Sequence, residues 1–158
     1  MMISQRLRRI RALTLTEILI AAAIMTIVVL ATITCRYHSA LDAKRARMQV
    51  TAANVGLTLS ESWRGLKGSE TYDPTTHLGG EMTIASGAGP AEPGDFTKLG
   101  SYSVTSNGVT CFVTLSWKDV ASGLRALNVN VAWTQQVKTV ALLEDTDKVF
   151  ELTTYTIN

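Results

Sequence analysis

The sequence predicts an α+β fold, one long N-terminal helix packed on a C-terminal antiparallel sheet of about four strands. Three observations predict it. Residues 13–64 hold no proline and a single glycine, Gly56. Residues 65–100 then hold eight of the eleven glycines and all three prolines, Pro74, Pro90 and Pro93. After Ser101 the apolar period changes to two, the repeat of half-buried strands.

The first twelve residues are a basic leader. Arg6, Arg8, Arg9 and Arg11 are four of the fifteen basic residues. The remaining chain has eleven basic and thirteen acidic residues. That balance, with no aromatic-interleaved basic patch after residue 47, gives no reason to expect a nucleic acid partner. The arginines speak instead to membrane orientation, and the positive-inside rule places the N-terminus in the cytoplasm.

Residues 13–35 form an apolar run with one charge, Glu17. At a rise of 1.5 Å per residue, 23 residues of helix span about 35 Å, enough to cross a bilayer. A cleaved secretory signal fits poorly, because cutting at Ala21-Ala22-Ala23 leaves a short apolar core that contains Glu17. A lipoprotein signal ending at Cys35 lacks the small residues it needs, since Ile33-Thr34 precede the cysteine. A permanent signal anchor explains the arginines and the run but leaves Glu17 without a purpose, and an acid in a lipid-facing helix is costly. One local purpose exists. Thr14-Leu15-Thr16-Glu17 has the T-x-x-E form of a capping box, which starts a helix at about Thr14.

Residues 36–64 continue the helix as an amphipathic half. Tyr37, Leu41, Met48, Ala52, Val55, Leu59 and Trp63 recur at steps of three, four or seven and make one apolar stripe. The helix is expected to end near Gly65. Its 52 residues from Leu13 to Arg64 amount to about 78 Å, more than one bilayer needs. With no proline, no proline kink is expected.

Residues 65–100 read as a long irregular connection. GAGPAEPG within it is not a phosphate loop, because no GK[ST] follows. Residues 101–158 read as the sheet. Strands are expected over Val109–Trp117, Leu127–Trp133, about Val137–Leu143 and Val149–Ile157, with turns at Asp119–Gly123 and Glu144–Asp147.

The stretch Arg11-Ala12-Leu13-Thr14-Leu15-Thr16-Glu17-Ile18-Leu19-Ile20-Ala21 resembles the class III signal of type IV pilins and type II secretion pseudopilins. The resemblance covers about 25 residues. It departs from the family at Ala12, where glycine is usual, and at Leu13, where Phe or Met is usual. It implies a leader cut between Ala12 and Leu13 by a prepilin peptidase, followed by methylation of the new amine. Glu17 then becomes the fifth mature residue. In that family this glutamate pairs with the terminal amine of a neighbouring subunit, so Leu13 and Glu17 are the implied assembly residues. The helix–loop–sheet order is also the pilin architecture. Val129-x-Val131-x-Trp133 with Leu152-Thr153-Thr154-Tyr155 looks like the sheet of minor subunits of the I and V types.

The resemblance implies a non-enzymatic structural subunit, without cofactor, of a type IV pilus or type II secretion pseudopilus. Its implied partners are other pilin or pseudopilin subunits, the prepilin peptidase and the bacterial inner membrane, with the head outside the cytoplasm. The other reading is a signal-anchored extracytoplasmic binding or enzymatic domain. No nucleophile–base set appears in the sequence. His38, His77, Cys35 and Cys111 lack metal-ligand spacing. Glu144, Asp145 and Asp147 fit either a calcium turn or a solvated acidic hairpin. Cys35 and Cys111 are expected as two separate buried thiols, since one ends the membrane run and the other lies in a strand.

Overall fold

The computed structural model describes residues 14–80, 82–135, 142–146 and 148–157. The leader arginines Arg6, Arg8, Arg9 and Arg11, and the processing pair Ala12 and Leu13, lie outside the described residues.

A single helix, α1, runs from Leu15 to Gly65. A short helix α2 (Pro74–Leu78) follows. Five strands then form one sheet: β1 (Thr83–Ser86), β2 (Thr97–Ser106), β3 (Val109–Ala121), β4 (Leu124–Trp133) and β5 (Lys148–Ile157). The strand order is β1-β2-β3-β4-β5 and every neighbouring pair is antiparallel. The chain separates into two compact units, one ending at Ala43 and the other running from Lys44 to Asn158. The α+β layout predicted from the sequence is the one observed.

In the second unit, Ala52, Val55, Leu59 and Trp63 form the buried face of α1. They meet Tyr102, Val104, Cys111, Val113, Leu115, Leu127, Val129, Val131 and Trp133 from three strands in one core. Burying each Leu or Val in such a core contributes about 1.5–3 kcal/mol. Trp63, Tyr72 and His77 stack in sequence, with ring centroids 5.9 and 5.6 Å apart. The apolar stripe is therefore core only in its upper part. Leu41 and Met48 are partly buried, and Tyr37 is 63% exposed.

The helix stops through a Schellman motif. The Gly68 amide donates to Trp63 O (3.1 Å) and the Lys67 amide to Arg64 O (2.9 Å). The left-handed residues are Lys67 (φ 55°) and Gly68 (φ 66°), not Gly65. A Cβ at Gly68 would also approach Leu127 to 2.8 Å.

The reading of 65–100 as irregular is corrected. Asp73 caps α2, its Oδ1 accepting from the Thr75 amide at 3.0 Å, and Pro74 starts the helix. The segment Thr83–Ser86 pairs with Tyr102–Thr105. Strand β2 begins at Thr97 and tolerates Gly100 through a register shift between Lys98 and Gly100. Among the described residues, 66–73, 79–80, 82 and 87–96 stay outside helix and strand, and the last of these segments crosses the second face of the sheet. The Thr114 hydroxyl donates to Pro90 O (2.6 Å) and the Asn130 amide group to Ala91 O (2.9 Å). Gly89 is needed there, since a Cβ would lie 2.3 Å from Thr114 Oγ1.

The strand expected over about Val137–Leu143 falls mostly outside the described residues. Residues 137–141 lie outside the described residues, Leu143 belongs to a single 3₁₀ turn (Leu143–Asp145), and β4 pairs directly with β5. Of the expected turn Glu144–Asp147, Glu144 and Asp145 lie in that 3₁₀ turn and Asp147 lies outside the described residues. The turn at Asp119–Gly123 is a hairpin between β3 and β4.

Candidate functional site

The site begins with the first turn of α1. The Thr14 amide donates to Glu17 Oε2 at 2.8 Å, and the Glu17 amide donates to Thr14 Oγ1 at 3.4 Å. The Thr14 hydroxyl adds a third bond to the same carboxylate oxygen at 3.0 Å. These reciprocal bonds satisfy amides that a helix start leaves without partners. Glu17 is therefore compatible with an apolar segment because its carboxylate is engaged locally.

Beyond it the helix surface is apolar and bare. Ile18, Leu19, Ile20, Ile24, Met25, Ile27, Val28, Val29, Leu30 and Ile33 are all more than half exposed. The threonines among them carry no free donor. Thr26, Thr32 and Thr34 hydroxyls donate to the carbonyls of Ala22, Val28 and Leu30 at 2.8, 2.8 and 3.0 Å. Back-bonding of this kind lets a hydroxyl enter lipid without a lost hydrogen bond. Among the described residues one helix has the length and composition of a membrane anchor, and none of its apolar window is buried within the chain. A run of this size without internal cover needs lipid or other helices around it.

Cys35 at the end of this run is exposed, while Cys111 is fully buried in β3, and both thiols are free. The expectation of two buried thiols is corrected for Cys35, whose neighbours along α1 do not cover it. Burial pushes the Cys111 thiol up to about 11. Glu144 is exposed, Asp145 lies in the same 3₁₀ turn, and Asp147 is outside the described residues. Among the described residues no three His, Cys, Asp or Glu side chains gather around a metal position.

Sequence reasoning missed a clamp in the second unit. Arg125 lies directly opposite Asp119 in the β3–β4 register. Its Nε donates to Asp119 Oδ1 at 2.7 Å and its Nη2 to Asp119 Oδ2 at 3.1 Å. Nη1 donates to Gly68 O and Nη2 to Glu70 Oε1, each at 3.0 Å. The guanidinium also lies 3.8 Å from the Trp117 ring centre. Arg125 thus ties the segment after α1 to the sheet. The W-x-D of β3 facing an arginine across a turn was the available signal.

No family model, curated protein or solved structure matches the chain.

Proposed function

We propose that this chain is a structural, non-enzymatic subunit, of the minor kind, of a type IV pilus or type II secretion pseudopilus. It is made as a prepilin in the bacterial inner membrane, with the head outside the cytoplasm. A prepilin peptidase cuts between Ala12 and Leu13. The mature chain then enters a filament through its N-terminal helix, beside other pilin or pseudopilin subunits, with Glu17 facing the terminal amine of a neighbour at Leu13.

The observation that carries this reading is the uncovered apolar half of α1, begun by the Thr14–Glu17 cap and continued by the same helix into the core of a five-stranded head. A plain anchor needs the apolar run alone. A filament subunit needs an acid at its start as well, because pairing relieves the cost of both buried charges.

Intact-mass spectrometry after co-expression with a prepilin peptidase tests it. The expected product has lost residues 1–12. A chain that keeps its four arginines is a signal-anchored domain of another kind, and the filament reading fails.

A further inference from the structure

The part of α1 that belongs to the second unit carries apolar residues on two sides. Ala52, Val55, Leu59 and Trp63 are the buried side, in the core against the sheet. Ala46, Val50, Ala53 and Leu57 recur at steps of four, three and four, and at about 100° per residue they fall within about 60° of one another around the helix. Their mean direction is about 145° from that of the buried four, so they form a second stripe on the far side. The chain leaves this stripe open: Val50 is 59% exposed, Leu57 is 47% exposed, and Ala46 is exposed as well. Polar Arg47, Gln49 and Asn54, all exposed, border it. All of these residues lie within the compact unit that runs from Lys44 to Asn158.

The spacing decides what can cover the stripe. A four-three repeat is the seam that one helix presents to another running alongside, each large side chain entering a space between residues of the facing helix. Ala46 and Ala53 let the two backbones approach, and Val50 and Leu57 fill the space between the alanine layers. Lipid is the wrong cover. Val50 lies fifteen residues beyond Cys35, where a run already long enough to span a bilayer ends. A freely diffusing partner is also the wrong cover. Four side chains, two of them single methyl groups, fall well short of the roughly 800 Å² per partner that a stable interface buries.

We infer that the Ala46–Val50–Ala53–Leu57 stripe packs against the same stripe of a second copy of this chain. A seam this small holds only a helix that something else already keeps alongside. A second copy meets that condition, because its own apolar run anchors it in the same membrane, with α1 parallel and at high effective concentration. The inference rests on the filament reading only in placing like subunits side by side, and adds which face of the helix they share.

The full chain in membranes tests the inference. Cys35→Ser removes the exposed thiol, and Cys111 stays because it is fully buried. In that background Leu57→Cys and, separately, Val50→Cys place a thiol on the stripe. Arg47→Cys places one on the polar border, about 90° from the centre of the stripe. Oxidation with copper phenanthroline and nonreducing electrophoresis then measure disulfide-linked dimer. The expected result is about tenfold more dimer from either stripe position than from Arg47→Cys, the ratio that a modest contact free energy sets. Equal yields at the three positions would reflect chance collision and overturn the inference, as would no dimer from any of them. An adduct of another mass overturns it too, because the stripe then faces a different protein. Intact mass of the same samples reports leader removal separately. Stripe dimers formed by a chain that keeps residues 1–12 support this inference while the filament reading alone fails.

Discussion

Thr14 and Glu17 hold each other across the first turn of α1, the Thr14 amide on Glu17 Oε2 at 2.8 Å and the Glu17 amide on Thr14 Oγ1 at 3.4 Å. The capping function uses the carboxylate as an acceptor, and a glutamine accepts equally well. The proposed pairing with a neighbour's amine uses its charge, which glutamine lacks. The Glu17→Gln chain should therefore insert and be cleaved after Ala12, yet enter filaments about tenfold less well or worse, because a desolvated amine is left unpaired. Immunoblots of sheared filaments against whole membranes measure this. Equal incorporation would reduce Glu17 to a helix cap.

The end of α1 yields a second prediction. Lys67 adopts φ 55°, a left-handed conformation that costs an L-residue about 1–2 kcal/mol. Lys67→Gly removes that strain and should raise stability, by about 0.5–1 kcal/mol after the added freedom of the unfolded chain is subtracted. Gly68→Ala should act in the opposite sense, by about 1–3 kcal/mol, because its Cβ would meet Leu127 at 2.8 Å and Thr156 at 2.9 Å. Thermal unfolding of the two variants in one detergent buffer gives the signs directly.

These two helix ends differ in how far the sequence exposes them. The start is legible, since T-x-x-E before an apolar run is a local pattern made by residues three apart. The end is legible only to within a turn, because Gly65 advertises a cap that Lys67 and Gly68 supply. The same limit explains the connection after it. Thr83–Ser86 is a strand because Tyr102–Thr105 lies beside it, a non-local fact that four small residues do not announce. Strand β2 was obscured by Gly100, which sits at a register shift. By contrast β3, β4 and β5 carry their own alternation. Of the candidate site, the apolar run and Glu17 were readable. The lower stripe misled, because Tyr37 obeys the helical period yet is 63% exposed.

Cys111 provides a third test. Its side chain is fully buried in β3, and burial pushes the thiol up to about 11. Thiolate is the reactive form, so in a Cys35→Ser background the remaining thiol should resist an aromatic disulfide reagent at pH 8 until the head unfolds. The linkage has a definite sign. The folded state holds the proton more tightly, so its advantage is complete below the unfolded value of about 8.5 and declines as pH rises towards about 11. Rapid labelling in the absence of denaturant would place Cys111 outside the core.

Arg125 and Asp119 supply the last. The guanidinium side chain is 7% exposed, stacked on Trp117, and bonded to Asp119, Gly68 and Glu70, so it joins three segments through one planar group. Arg125→Lys keeps the charge but cannot make the same fork, and should cost about 1–3 kcal/mol. The hydrogen bond from Arg125 holds the Asp119 carboxyl below the usual aspartate range. A depressed carboxyl contributes stability that is fully present above the unfolded value of about 3.9, and loses it as pH falls through the lower folded value. Asp95 contributes in the same direction through its bond from Lys118, so the wild-type curve alone does not isolate Asp119. Asp119→Asn does. Its stability deficit should be constant between pH 6 and 8 and should shrink as the pH is lowered below about 4, because the wild-type carboxyl then takes up its proton and gives up the same interaction. Unfolding temperatures of the two chains measured across that range would show the curves converge. A deficit that stays constant down to pH 2 would mean that Asp119 acts through its shape and not its charge.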